Sequence, residues 1–289
     1  AITAAGGWVA VLGQLDSIDP ALLLPMGSHG FSAAGVASAL GFVGIGLAFL
    51  GAPQLLTRFI SARRRGEIVQ GSVIAVVCIV VFDVGAVFAG MAGRVLYNGL
   101  SDPETVLPEM SAGLFPEVFT GIFLVIVLAA IMSTVDSLLI LASSAIVRDV
   151  VQKVLSPALT EFQFALLGRL TTAVIATGAL ALALPQVRVI FWFVLFAWSG
   201  LASAFAPVVL CSIFWERTTR IGAIAGMLAG FSVTVLWVLF VKEQFYDLYE
   251  MIPGFLTGLV VTIGVSLFTE APKGATEEMR DIRNAIHPG

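Results

Sequence analysis

Long apolar runs, separated by short segments rich in charge, glycine and proline, make up most of the 289-residue chain. Several runs approach or exceed the ~18 residues that a helix needs to cross a hydrocarbon core. They do not alternate between polar and apolar positions as the strands of a membrane barrel do. The pattern therefore predicts an all-α polytopic membrane protein. Its seven full spans are expected at 34–57, 71–97, 117–142, 164–184, 189–214, 221–241 and 251–269.

The first residues, 1–15, are interpreted as the end of one further span. The chain begins AITAAGG, without an initiator Met or a signal-peptide pattern. We therefore expect that 1–289 is a single transmembrane region from the C-terminal part of a longer protein, with a tail at about 271–289. The N-terminal helices of that protein are then expected as partners of the region.

Hydroxyl side chains interrupt the apolar run at 128–144, which reads LAAIMSTVDSLLILASS. Four of its residues share one stripe of a helix, because they follow one another at i, i+3, i+4 and i+7. They are Ala130, Ser133, Thr134 and Ser137. A stripe of oxygens among packed helices can bind a hard cation. The same hydroxyls can instead bond to the carbonyl one turn earlier or hold neighbouring helices together.

Helix-weakening residues are concentrated in the span at 34–57, which contains the stretch GFVGIGLAFLGAPQLL. Two interpretations are open. Glycines in membrane helices allow neighbouring helices to pack closely. Several glycines followed by Pro53 also favour an interrupted helix, because proline removes a backbone hydrogen bond and clashes with the preceding turn. Secondary transporters bind their substrates beside such interruptions.

Two carboxylates fall inside predicted spans. Asp83 lies near the middle of its span, where an ionisable group is costly and points to a function. A polar pairing with a neighbouring helix or a water is an equally good explanation. Asp136 lies ~60° from Ser133 on the helical wheel, beside the hydroxyl stripe. It is interpreted as a residue that packs or supports the stripe and does not itself bind the cation.

Composition agrees with a membrane protein. The chain is 58% hydrophobic and 12% charged, and its mean hydropathy is +1.01. A soluble domain carries about twice that share of charge. Cys78 and Cys211 fall in apolar runs, so they are interpreted as small buried side chains. The sequence contains no basic cluster with interleaved aromatic residues, so nothing in it indicates nucleic acid as a partner.

Basic residues are distributed unevenly between the predicted loops. Most of the 15 Lys and Arg lie at 58–65, 148–169, 217–220 and in the tail. Cytoplasmic loops carry the excess of Lys and Arg in membrane proteins. The distribution therefore predicts that the C-terminus is cytoplasmic. The membrane is expected to be the plasma (inner) membrane.

Four segments, taken in order, resemble the sodium/solute symporter family, and most closely its sodium/proline symporters. They are GIGLAFLGAPQLLTRF at 44–59, LAAIMSTVDSLLILASSAI at 128–146, AWSGLASAFAPVVL at 197–210 and WERTTRIGAIAGMLAG at 215–230. The resemblance implies a LeuT-like fold, which consists of two five-helix repeats of inverted topology and additional peripheral helices. This chain would then hold the second repeat and the peripheral helices. Span 34–57 would be the broken first helix of that repeat.

The resemblance also implies site residues. Sodium ligands fall on the Ala130 carbonyl and the Ser133 and Thr134 hydroxyls, and Ser137 lies near a second sodium position of some members. On the substrate side, the family's Trp, Tyr and Pro positions correspond to Ile45, Phe49 and Pro53. The first two depart from the pattern and lack its indole N–H and phenol O–H. Two further candidate substrate-binding residues are Gly44 and Trp198.

The expected function is sodium-coupled symport of a small organic solute, an amino acid such as proline, by alternating access. Sodium, the solute and the lipid bilayer are the expected partners; no cofactor beyond the coupling ion is implied. Symport of a monocarboxylate is an alternative, as is a solute-sensing module joined to a histidine kinase. A third alternative is an intramembrane enzyme that uses Asp83 or Asp136. The sequence does not support it, because it contains no HExxH or Ser/His pattern.

Overall fold

The computed structural model describes residues 1–24, 27–155, 158–184, 190–277 and 279–280. Within these ranges the chain forms helices and turns, and it contains no β-strand. Seven helical segments are long and apolar enough to cross a membrane, as the apolar runs predict. The helices are α1 (Trp8–Ile18), α2 (Ala33–Ile45), α3 (Ala48–Gly51), α4 (Pro53–Ile60), α5 (Arg65–Leu96), α6 (Val106–Leu114), α7 (Glu117–Ser144), α8 (Glu161–Ala183), α9 (Ile190–Phe214), α10 (Arg220–Leu236) and α11 (Met251–Phe268).

The chain divides into two compact units. The first is formed by Ala1–Asp19 and Ala62–Val189, and the second by Pro20–Ser61 and Ile190–Gly289. The first unit therefore holds α1 and α5–α8, and the second holds α2–α4 and α9–α11. Residues 278 and 281–289 of the predicted tail lie outside the described residues.

In the first unit, the long helices expose most of their apolar side chains. None of the residues in the most apolar windows of α5, α7 and α8 is buried. A small core forms where α1 meets α5, with Val11 and Leu15 packed against Met91 and Val95. Broad apolar surfaces on such long helices are typical of helices that face lipid or further helices.

The prediction that residues 1–15 form the end of a span is wrong in its boundaries. Helix α1 begins only at Trp8 and continues to Ile18. Gly6 and Gly7 precede it with φ angles of 90° and 93°. Those angles lie in the left-handed region that favours glycine, so a right-handed helix cannot run through them.

Helix α7 continues beyond the apolar run that ends at residue 142. It is helical to Ser144 and then passes into a π-helical segment at Ala145–Leu155. Charged residues of that segment, such as Arg148 and Lys153, lower its hydropathy, and this is why the apolar run stops before the helix does. Helix α8 then begins at a capping box, in which Thr160 and Gln163 satisfy each other's backbone N–H groups.

In the second unit, α10 and α11 pack against each other through small residues. A Cβ atom at Gly226 would overlap the Thr262 hydroxyl and lie 2.9 Å from the Gly258 carbonyl oxygen. The Thr262 hydroxyl donates to that same carbonyl at 2.7 Å, so its polar group is satisfied inside the interface. Close backbone approach of this kind is how membrane helices gain packing energy without a hydrophobic driving force between them.

The span predicted at 34–57 is interrupted, as its glycines and proline suggest. Helix α2 ends at Ile45, α3 covers only Ala48–Gly51, and α4 begins at Pro53. Ala52 is extended, with φ −74° and ψ 111°, because a residue before proline is disfavoured in the helical region. The packing interpretation holds as well: a Cβ atom at Gly51 would lie 2.6 Å from the Ala206 nitrogen of α9.

Candidate functional site

The hydroxyl stripe lies on α7 in the first unit, and its oxygens are close together. The Ser133 and Thr134 hydroxyls both donate to the Ala130 carbonyl, at 2.9 and 3.2 Å. The Ser137 hydroxyl donates to the Ser133 carbonyl at 2.8 Å. Each hydroxyl hydrogen is thus directed at the helix's own backbone, while the hydroxyl oxygens keep lone pairs for a further partner.

These oxygens have the chemistry of a monovalent cation site. The part of the chain that the structure describes has no cluster of three or more His, Cys, Asp or Glu that could hold a metal. The stripe offers only neutral oxygens, which suit a hard ion of low charge better than a divalent one. Because a carbonyl has two lone pairs, an ion at the Ala130 oxygen must displace a hydroxyl hydrogen, and that hydroxyl can then turn its own lone pairs towards the ion.

The stripe alone has too few oxygens to complete a coordination shell. Ala130, Ser133, Thr134 and Ser137 are all exposed on α7. Hard cations in proteins take about six oxygen ligands, and the stripe presents fewer. The assignment of sodium to these four residues therefore stays a prediction.

The two intramembrane carboxylates are exposed on their helices. Asp83 lies in α5 and Asp136 in α7. Neither forms an ion pair with any residue in the described part of the chain. The roles predicted for them stay predictions.

In the second unit, the structure brings three of the five predicted substrate residues together. The rings of Phe49 and Trp198 are 5.1 Å apart at an angle of 47°, within the range of a favourable aromatic pair. Ile45 and Trp198 pack against a buried cluster. Phe49 is half exposed. Together these residues form an apolar and aromatic wall where α2 gives way to α3.

The other two predicted residues are placed differently. Gly44 is buried, and a Cβ atom there would lie 3.4 Å from the Ile252 side chain of α11. It lets α2 pack closely against that helix. Pro53 occupies the first turn of α4, where its missing N–H costs nothing. Its clearest effect is on the backbone, since it forces the extended conformation at Ala52.

Each unit contains a cavity. The second unit has a cavity of about 50 Å³, bounded by α2, α9 and the loop between α10 and α11. That volume suits a water molecule better than an amino acid. The first unit has a cavity of about 390 Å³ between α7, the π-helical segment and α8. It is lined by Ile140, Ser143, Ser144, Val147, Arg148, Gln152, Glu161, Phe164, Ala165, Gly168 and Thr172.

The sequence analysis missed a buried ion pair in the second unit. The Lys242 ammonium lies 2.8 Å from the Glu250 carboxylate, whose side chain is 2% exposed. Beside it, the Tyr249 hydroxyl donates to the Leu195 carbonyl at 2.9 Å. Burial and the neighbouring Glu250 carboxylate raise the pKa of Tyr249, which therefore stays a neutral donor. The sequence feature that could have revealed the pair is the position of Lys242 and Glu250 at the two ends of a short polar segment between two apolar runs.

A protein-family model matches most of the chain. The model of the family described as "Sodium:solute symporter family" matches residues 1–230. No solved structure matches the chain.

Several curated proteins are similar along most of the chain. The High-affinity proline transporter PutP of Bacillus subtilis is 32% identical over 286 residues, which is 97% of this chain and 59% of that protein. The Osmoregulated proline transporter OpuE of the same organism is 30% identical over 96% of this chain and 56% of its own length. A Sodium/proline symporter of Staphylococcus aureus is 32% identical over 86% and 52%. The chain spans about half the length of these curated relatives.

Proposed function

Because the chain belongs to the sodium:solute symporter family, we propose that it is part of a sodium-coupled symporter of a small organic solute, with proline as the first candidate. The observation that carries the proposal is similarity along 97% of the chain to a protein named as a proline transporter. The interrupted helix with its aromatic wall supports it, because such interruptions are where secondary transporters bind their substrates.

Sodium binds, in this proposal, at the Ala130 carbonyl and the Ser133 and Thr134 hydroxyls. Three oxygens on one helix do not complete a shell, so the further ligands belong to helices outside these 289 residues. Support comes from the relatives, which are nearly twice as long as the stretch matched here. Sodium moving down its gradient supplies the energy, about 2.3 kcal/mol per charge for each 100 mV of membrane potential.

The solute binds beside Ile45, Phe49 and Trp198. These side chains offer apolar and aromatic contact to a small ring such as that of proline. Ile45 and Phe49 carry no hydrogen-bonding group, so the charged ends of an amino acid must be recognised by other groups. The carbonyl end of α2 carries negative helix-dipole charge, which favours an ammonium group at the break.

The protein is integral to the membrane. In the proposed arrangement the exposed apolar faces of α5, α7 and α8 meet lipid or further helices of the transporter. The basic segments at 58–65, 148–169 and 217–220 then face the cytoplasm, and so does the C-terminus, according to the positive-inside rule. The membrane is the plasma (inner) membrane.

Uptake by the full-length protein in membrane vesicles tests the proposed function. Labelled proline is compared with a panel of amino acids and monocarboxylates, with and without an inward sodium gradient. Sodium-driven accumulation of proline is the expected result. Accumulation of another solute alone would correct the substrate, and uptake indifferent to sodium would refute symport.

The sodium ligands are tested by the double variant Ser133→Ala with Thr134→Ala. Loss of two oxygens should raise the sodium concentration for half-maximal uptake by at least about tenfold. Ser212→Ala is the matched control, since the Ser212 hydroxyl also donates to its own helix, at 2.8 Å to the Val208 carbonyl. Unchanged sodium dependence in the double variant would show that the stripe holds no ion.

A further inference from the structure

The loop between α10 and α11 holds α9 along one stripe of that helix. Three residues of α9, at i, i+3 and i+7, each contact a residue of Lys242–Glu250. The Lys242 ammonium lies 5.7 Å from the centre of the Trp192 ring, a cation–π distance. The Tyr249 hydroxyl donates to the Leu195 carbonyl. The Glu250 carboxylate lies 3.3 Å from the Ser199 hydroxyl.

Burial makes the ion pair within this loop a strong constraint. The side chain of Glu250 is 2% exposed and that of Lys242 is 24% exposed. A buried carboxylate without its cation is costly, so the two side chains stay together as long as the fold persists. The pair thereby joins the two ends of the loop. Tyr246 and Asp247 between them have φ angles of 55° and 53°, a conformation that non-glycine residues keep only where contacts impose it.

The same loop supports the first half of the interrupted helix. Gly41 of α2 lies against Tyr249, and a Cβ atom at Gly41 would be 2.9 Å from the Tyr249 Cβ. Tyr249 also belongs to the buried cluster against which Ile45 and Trp198 pack. The ion-paired loop therefore contacts both α9 and α2, and its Tyr249 lies in the cluster that supports Ile45 and Trp198, two of the residues that contact the solute in the proposed function.

We propose that the Lys242–Glu250 ion pair is a positioning element of the solute site. The pair fixes the loop, and the loop fixes the positions of α9 and α2 relative to each other. It thereby sets the distance between Ile45 of α2 and Trp198 of α9. The pair does not touch the solute. This inference rests on the proposed function only for the identity of the site that it positions.

The first test measures initial rates of labelled proline uptake by the full-length protein with Glu250→Gln, which keeps the shape of the side chain and removes its charge. The KM for proline should rise about tenfold, in the range typical of coupling between sites. The maximal rate per inserted molecule and the sodium half-saturation should change less than about twofold. A fall in the maximal rate alone, with KM unchanged, would overturn the proposal.

Asp149→Asn is the matched control. Asp149 also forms an ion pair at 2.7 Å, with Lys153, but both side chains are more than half exposed, and such pairs contribute little. It should leave the KM unchanged. The double charge reversal Lys242→Glu with Glu250→Lys should recover most of the lost affinity, and an exchanged pair no better than Glu250→Gln alone would count against a positioning role. If Glu250→Gln does not insert, Lys242→Gln removes the other charge and is scored in the same way.

A second measurement does not depend on the solute. The variant Ile45→Cys is made in a full-length background whose native cysteines, Cys78 and Cys211 among them, are replaced by alanine, and the labelling of the new thiol by a membrane-permeant reagent is timed. Glu250→Gln should speed labelling several-fold, and Asp149→Asn should not. Equal labelling rates in the two variants would refute the inference even if the protein carries proline. Absence of sodium-driven proline uptake in the unmodified protein would instead refute the proposed function and leave the labelling result decisive.

Discussion

Replacing Gly226 by alanine should destabilise the second unit, although alanine is the better helix former by about 1 kcal/mol. The added Cβ atom would overlap the Thr262 hydroxyl and lie 2.9 Å from the backbone carbonyl of Gly258, whereas ordinary contact begins at 3.4 Å. The hydroxyl cannot move aside without losing its 2.7 Å bond to that carbonyl, and β-branched side chains have few alternative rotamers. The α10 and α11 backbones must therefore separate by at least about 0.5 Å at this point, which forfeits a quarter or more of the dispersion energy of each affected contact.

The net cost is about 1–3 kcal/mol, the range found for overpacked cores. Thermal denaturation of the purified full-length protein in detergent measures it as a fall in the midpoint temperature. Gly264→Ala is the control, because Gly264 is also in α11 but a Cβ atom there meets nothing within 4 Å. That variant should be neutral or slightly stabilised. If both variants gave the same midpoint, close approach of α10 and α11 at Gly226 would be refuted.

Other outcomes follow from the second unit. The aromatic pair Phe49 and Trp198 should show a coupling of about 0.5–1.5 kcal/mol in the free energy of unfolding when the two are replaced by leucine singly and together; strictly additive effects would mean that the rings do not meet. Burial and Glu250 raise the pKa of Tyr249 above its ordinary 10.0, so the stability present below pH 10 falls as the pH rises above it. Thermal midpoints between about pH 9 and 11 should decline more in the unmodified protein than in Tyr249→Phe, and parallel declines would exclude this contribution. Pro53→Ala should lower the maximal uptake rate severalfold while the protein still inserts, because the helical region becomes available to Ala52; an unchanged rate would show that the interruption does not depend on the proline.

The spans and the interruption could be predicted because their causes are local. A membrane helix needs a long apolar run, and Pro53 acts on the residue immediately before it. The length of an apolar run underestimates a helix that continues into charged residues, as in the π-helical segment after Ser144. The first helix was misplaced for a related reason, since hydropathy does not register the backbone conformation of Gly6 and Gly7.

The candidate site could be predicted only in part. The hydroxyl stripe follows from helical periodicity, and so does its bonding to the helix's own carbonyls, which the sequence leaves open as an alternative to ion binding. The neighbours of Gly44 and the partner of Glu250 depend on which helices pack together. Lys242 and Glu250 become a buried pair only because the loop between them folds back onto α9, and no periodicity records that contact.

Ala52 is the point about which α4 can rotate relative to α3. It is the single residue between α3, which is seated against α9 at Gly51, and α4. Helix α4 has eight residues and is therefore about 12 Å long. A rotation of about 20° at Ala52 moves the far end of α4 by about 4 Å, while α3 stays packed against α9. A change in the two backbone dihedral angles of one buried alanine is thus enough to move the far end of an eight-residue helix by several ångströms.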